Sequence, residues 1–259
     1  MELKEISDPG LRGPKRPGVP RARTENIMPR IAFWNLQRLG RGTDRARRVA
    51  LTTMAGYWNP DLFLTCELTR ACDFPIPQNL TYRRENRRQL CYGALDNDDD
   101  IVALDKIYPT STAAYAACAF KGGNDFTQLA DRAPGEADSG AIFPAVDIFV
   151  IHAPATMASG RKAMAYIAAY MQERYAAGGE WIVVGDFNVG PGYLTASGIP
   201  GIGNLIKRSG VATHRSRRSR SGTELDYALT SIAGLTVRAM RYTRWRNLSD
   251  HGPILLEWA

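Results

Sequence analysis

Four apolar residues, Trp181-Ile182-Val183-Val184, lead straight into Gly185-Asp186-Phe187-Asn188. A strand buried on both faces reads this way, without polar alternation. Further strands are predicted over 30–35, 62–66 (closing on Glu67), 90–95, 101–104, 145–151 (closing on His152), 225–229, 235–242 and 254–258. Two helical patterns lie among them. Ala46, Val49, Ala50, Met54 and Tyr57 recur at helical spacing over 44–57, and Asn59-Pro60 ends that segment. A second helix over 160–175 carries an alanine-rich face and is broken by Ala176-Ala177-Gly178-Gly179. No internal repeat or second-domain boundary interrupts the series, which predicts an α/β (α+β) layered sandwich.

Residues 1–29 break the pattern. Pro9, Pro14, Pro17, Pro20 and Pro29 are interspersed with Arg12, Lys15, Arg16, Arg21 and Arg23, with no apolar periodicity. Such a segment is expected to be a disordered basic tail before one domain over 30–259. It reads as a linker, a nucleic-acid-binding arm or a start placed too early. The first residues lack the apolar core of a secretory signal, which leaves cytoplasmic residence and non-classical export both open. No run approaches the ~18 apolar residues of a membrane span.

Composition narrows the partners. The formal net charge of +7 favours an anionic one, such as nucleic acid, phospholipid headgroups or phosphoinositides. Cys66, Cys72, Cys91 and Cys118 show no Cys-x-x-Cys spacing, so neither a zinc site nor a redox motif is indicated, and free thiols are expected.

The ends of the predicted strands carry Asn35 and Gln37, Glu67, His152, Asp186 and Asn188, Asp226, and finally Asp250 and His251. The chain has 3 histidines, and two of them stand at these positions. Any one such residue reads as a cap, a turn or a satisfied core group. The joint pattern points to chemistry. Carboxylates with amides suit a hard divalent cation that takes oxygen ligands. Histidine with aspartate suits proton transfer and stabilisation of charge on phosphate oxygens.

In order along the chain, Trp34-Asn35-Leu36-Gln37, Glu67, Ile151-His152-Ala153-Pro154, Gly185-Asp186-Phe187-Asn188, Leu225-Asp226-Tyr227 and Ser249-Asp250-His251 resemble the endonuclease/exonuclease/phosphatase superfamily, the DNase I-like fold. The resemblance spans about residues 30–258. Within that superfamily the sequence is most similar to the cytolethal distending toxin B subunit, on Trp34 to Gln37, the small-residue loop 153–160, and Thr213-His214 with Thr223-Glu224-Leu225-Asp226-Tyr227-Ala228. The resemblance implies a four-layer sandwich, two mostly antiparallel sheets between outer helices, with the site at one edge. It implies Mg²⁺ (or Mn²⁺), with Glu67 as the main ligand and Asn35, Asp250 and Gln37 nearby through water. Asp186 would orient or deprotonate the attacking water and Asn188 would hold a phosphate oxygen. His251, oriented by Asp226, and His152 would flank the scissile phosphate. A monomeric catalytic unit acting on DNA, with companion toxin subunits, is the further implication.

Two departures stand out. DNase-type members carry an arginine on the strand before the first catalytic histidine, yet 138–146 contains none and Arg132 lies well upstream. No carboxylate that would orient His152 is evident either. The run His214 to Gly222 is densely cationic, and Arg215, Arg217 and Arg218 are candidates to bind backbone phosphates without reading sequence. Asp96-Asn97-Asp98-Asp99-Asp100 lacks the glycine and distal glutamate of a calcium loop and reads as a hairpin turn. Tyr242-Thr243-Arg244-Trp245-Arg246 reads as rim packing, with base stacking as the alternative. The leading expectation is a metal-dependent DNA phosphodiesterase with little sequence preference. The alternatives are a phosphoinositide or other phosphomonoester phosphatase, and a non-catalytic binding module.

Overall fold

The structure is a computed structural model that describes residues 28–39, 49, 53, 57–58, 60–68, 80–84, 91–95, 101–106, 125–131, 146–155, 157–215, 222–241 and 248–259. The strands in chain order are β1 Arg30–Leu39, β2 Leu62–Leu68, β3 Leu80–Arg84, β4 Cys91–Leu95, β5 Ile101–Lys106 and β6 Asp125–Asp131. They continue as β7 Val146–His152, β8 Glu180–Asp186, β9 Ile206–Lys207, β10 Asp226–Thr230, β11 Thr236–Ala239 and β12 Ile254–Glu257. Among the described residues these form two six-stranded sheets, ordered β11-β12-β1-β2-β4-β3 and β5-β6-β7-β8-β10-β9. Each is antiparallel except at one central pair, β1 with β2 and β7 with β8. Two packed, mostly antiparallel sheets are what the resemblance to the DNase I-like fold implies.

The core follows from period-two alternation. Ile31 and Phe33 of β1, Leu62 and Leu64 of β2, Ile148 and Val150 of β7, Ile182 and Val184 of β8, and Ile254 and Leu256 of β12 interlock between the sheets. Each such side chain contributes about 1.5–3 kcal/mol on burial. The alternate residues Phe149, Ile151, Trp181, Val183, Tyr227 and Leu229 face outward from the second sheet. There they pack on Met164, Ile167, Ala168 and Met171 of the helix Met157–Arg174. Both faces of β8 are therefore covered, which is why its sequence reads as an unbroken apolar run.

β7 and β8 lie close together at Gly185. A Cβ built there would meet the Ile151 carbonyl oxygen at 1.9 Å, so only glycine fits. Two more glycines, Gly178 and Gly179, take positive φ and turn the chain from the helix into β8, as predicted.

Several expectations change. β3, β6 and β9 were not predicted, because Leu80–Arg84 and Asp125–Asp131 mix apolar with charged residues and Ile206–Lys207 is only 2 residues long. β11 is shorter than the predicted 235–242. β4 and β5, on either side of Asp96–Asp100, belong to different sheets and do not form a hairpin with each other. Most of the predicted helix 44–57, the tail 1–27, residues 242–247, Cys72 and Cys118 lie outside the described residues. Within 44–57, Val49 and Tyr57 are exposed rather than inward, while the next residue, Trp58, is buried.

Candidate active site

Rows of the inter-sheet core end in polar groups at one edge of the sandwich. On β1 the row Ile31, Phe33 continues to Asn35; on β7 Ile148, Val150 continues to His152; on β8 Ile182, Val184 continues to Asp186. On antiparallel β10, Asp226 precedes Ala228 in the same row. The register aligns them laterally, since Asp186 is the Cα partner of both His152 and Asp226. Asn35, Asp186 and Asp226 are all buried. Buried polar groups must find partners, and here they find each other.

Asn35 is the hub between the sheets. Its Nδ2 donates to Asp186 Oδ2 at 2.8 Å and to Glu67 Oε1 at 3.1 Å. Cys66 belongs to the inter-sheet core, so strict alternation would point Glu67 the other way. Glu67 instead has φ of 60°, and its carboxylate reaches Asn35 and, at 3.3 Å, His152 Nε2. A non-glycine residue held there costs on the order of 1–3 kcal/mol and persists where the surroundings over-determine it. Burial alone would push the Glu67 carboxyl up. The hydrogen bond and charge of His152, the Asn35 donor and the charge of His251 outweigh it and hold the pKa at about 2. Glu67 is thus the carboxylate facing His152 that the sequence did not reveal.

Asn188 also has positive φ, 52°, which asparagine tolerates. Its backbone N–H donates to Asp186 Oδ1 at 2.8 Å, and its Nδ2 donates to the Ala153 carbonyl at 2.6 Å.

His251 comes from the other sheet, just before β12. Its Nδ1 lies 2.9 Å from Asp226 Oδ2 and its Nε2 lies 3.6 Å from Asp186 Oδ2. His152 Nε2 approaches the same Asp186 oxygen at 4.0 Å. Trp34 Nε1 donates to the His251 carbonyl at 2.8 Å, and Ser249 Oγ accepts the His251 N–H at 3.1 Å while donating to the Asn35 carbonyl at 2.9 Å. Burial would lower the His251 pKa, but the facing charges of Asp226, Asp186 and Asp250 and the Asp226 hydrogen bond raise it to about 10. Thr213 Oγ1 accepts the backbone N–H of Asp226 at 2.9 Å.

Residues 32–251 match the Endonuclease/Exonuclease/phosphatase family. The chain belongs to that family. Its fold is shared by truncated TDP2 from Caenorhabditis elegans, with TM-score 0.61, 15% identity, and coverage of 90% of this chain and 98% of that one. D. rerio TDP2 complexed with single strand DNA product superposes with TM-score 0.59 at 12% identity, covering 90% of this chain and 99% of that one. A 3′ phosphatase, NExo from Neisseria, bound to product DNA hairpin gives 0.59 at 15% identity, covering 90% of this chain and 100% of that one. No curated protein matches by sequence.

Endonuclease/exonuclease/phosphatase proteins are generally dependent on a divalent metal, and the donor chemistry here fits one. Glu67, His152 and Asp186 bring ligand atoms within 4.8 Å of one another, as do Asp186, Asp226 and His251. The carboxylates of Glu67 and Asp186 crowd around a single amide, where a cation relieves their repulsion.

The edge does not gather every predicted residue in the same way. Asp250 faces His214, with Oδ2 3.8 Å from His214 Nε2. The Gln37 side chain and all of Arg217 and Arg218 lie outside the described residues. Arg215 is beside the site, since its backbone N–H donates to the Asp250 carbonyl at 2.8 Å. β6 is the strand that pairs with β7, and no arginine occurs in it. Asp125 is the end of β6 that meets His152, so Arg132 follows the remote end. His214, Thr213, Ser249 and Trp34 had no role assigned from sequence. They stood only as members of the Trp34-Asn35-Leu36-Gln37, Thr213-His214 and Ser249-Asp250-His251 motifs.

Proposed function

We propose that this chain is a divalent-metal-dependent phosphodiesterase that cleaves DNA with little sequence preference. The observation that carries the reading is the placement of His152 and His251 against one oxygen of Asp186, at 4.0 and 3.6 Å, with Asp226 behind His251. Phosphodiester hydrolysis needs in-line attack by water, neutralised equatorial oxygens and a proton for the leaving alkoxide. Asp186 orients or deprotonates the water. Its two oxygens are fixed by Asn35 Nδ2 and the Asn188 N–H, so its direction is set before substrate arrives. His251, held in one tautomer by Asp226, faces the phosphoryl charge, and His152 serves the opposite side of the scissile bond. Asn188 holds a non-bridging oxygen. Mg²⁺ or Mn²⁺ would be held by Glu67, with Asn35, Asp250 and Gln37 acting through water. When bound, it supplies Lewis-acid stabilisation of phosphate charge.

DNA as substrate draws support from the TDP2 and NExo structures, both of which hold product DNA. The NExo structure also favours a second reading, removal of a terminal phosphate, because that protein is a 3′ phosphatase. A phosphoinositide headgroup presents the same phosphomonoester chemistry. The narrower likeness to the toxin B subunit rests on the sequence motifs alone. A non-catalytic module is disfavoured by an intact hydrogen-bonded site.

Conversion of supercoiled plasmid with Mg²⁺, with EDTA and with folded His251→Ala tests the proposal. Nicking that needs the metal and the histidine supports an endonuclease. Absence of nicking, with phosphate release from a 3′-phosphorylated oligonucleotide or a phosphoinositide, replaces it with the phosphatase reading.

A further inference from the structure

Beyond the groups centred on Asp186, the ligand atoms of His214, Asp250 and His251 also lie within 4.8 Å of one another. We propose that these side chains form a second cation site, nitrogen-rich, that takes a borderline transition-metal ion such as Zn²⁺.

Backbone geometry prepares the site. His214 and His251 are partners in an antiparallel bridge, so their side chains project to the same side. Their rings sit 4.7 Å apart, tilted by 50°. The bridge is fastened by Arg215 N–H to the Asp250 carbonyl at 2.8 Å and Gly252 N–H to the Thr213 carbonyl at 2.5 Å. His214 is tied again on its other side, exchanging both backbone hydrogen bonds with Thr223. Asp250 adds a carboxylate oxygen 3.8 Å from His214 Nε2.

The chemistry of the donors selects the ion. Two imidazoles and one carboxylate suit Zn²⁺ and its neighbours, whereas Mg²⁺ prefers oxygen and keeps its waters. Asp226 occupies His251 Nδ1 at 2.9 Å, which leaves Nε2 as the ligand atom. A carboxylate behind a histidine in this way is the usual outer support of a zinc ligand. Asp186 Oδ2 lies 3.6 Å from His251 Nε2 and Asp226 Oδ2 lies 2.9 Å from Nδ1, so negative charge surrounds the imidazole where a dication would replace the Nε2 proton. The side chains of His214 and Asp250 are 24% and 26% exposed, so an ion has a path in.

A cation on His251 Nε2 removes that nitrogen from the reaction. On the proposed function, this site would therefore inhibit an enzyme running on Mg²⁺ at Glu67. The binding test does not depend on activity, so the two proposals fail separately.

Co²⁺ titrated into metal-free protein is the probe. Wild type and Glu67→Gln are expected to give the visible bands of four-coordinate cobalt, displaced by Zn²⁺. His214→Ala and Asp250→Asn, each shown folded by circular dichroism, are expected to bind at least about tenfold more weakly. No four-coordinate spectrum with wild type, undiminished binding in both variants, or loss of the spectrum in Glu67→Gln would overturn the site.

Discussion

Asp226 and His251 meet at 2.9 Å although they belong to different sheets, Asp226 opening β10 and His251 lying just before β12. Their contact closes the edge of the sandwich. The imidazole is oriented only while the two sheets stay in register, which ties the site to the inter-sheet core. Asp226→Asn keeps the shape but removes the charge that fixes the tautomer. It is expected to lower kcat by roughly 10²–10⁴-fold, with His251→Ala in the same range. The double variant should be little worse than either single one. Additive losses in steady-state kinetics would show that the residues do not act as a unit.

The same pair sets a pH dependence of stability. The folded-state pKa of His251 is raised from 6.5 to about 10, since facing carboxylates outweigh burial. A raised pKa means that the folded state binds the proton more tightly. The stabilisation is fully present below 6.5 and is lost as pH rises towards about 10. Urea midpoints in EDTA should fall across that window, and Asp226→Asn should flatten the fall. Glu67 works in the opposite direction, its contribution being lost as pH drops from 4.5 towards about 2. A midpoint independent of pH over the alkaline window would count against a protonated His251.

Asp186 and Asn188 were legible because β8 is buried on both faces, and an apolar run followed by polar residues marks its end. The lateral register of His152, Asp186 and Asp226 was not legible, since it depends on strands far apart in sequence. Glu67 was visible as the residue closing β2. Its inward turn was hidden, because a single backbone angle of 60° reverses the alternation that a sequence reader relies on. β6 escaped notice because Asp125–Asp131 has charged ends and a polar centre. His214 gained its place through a backbone bridge to His251, which no local pattern announces.

Gly185 offers a purely structural test. A methyl group there would sit 1.9 Å from the Ile151 backbone oxygen, and backbone cannot give way as a side-chain tip can. Gly185→Ala is expected to destabilise by more than the ~1 kcal/mol of an ordinary substitution and to shift Asp186 against His152. Thermal melting checks the first part. Residual activity of the folded fraction checks the second, and wild-type values in both would show that β7 and β8 can part locally.

Substitution of Arg215, Arg217 and Arg218 together separates binding from chemistry. Arg215 leads out of the bridge that joins His214 to His251, so the cationic run starts beside His251. If these side chains bind backbone phosphates, each contact releases counterions, and the logarithmic salt slope of DNA binding changes by about 0.9 per phosphate. The triple alanine variant, in a background of His251→Ala to prevent cleavage, is expected to bind duplex DNA more weakly and with a slope shallower by about 2–3. Weaker binding should be uniform across sequences, because phosphate contacts carry no base information. An unchanged slope measured by fluorescence anisotropy over a salt series would assign the +7 charge to solubility rather than to substrate capture.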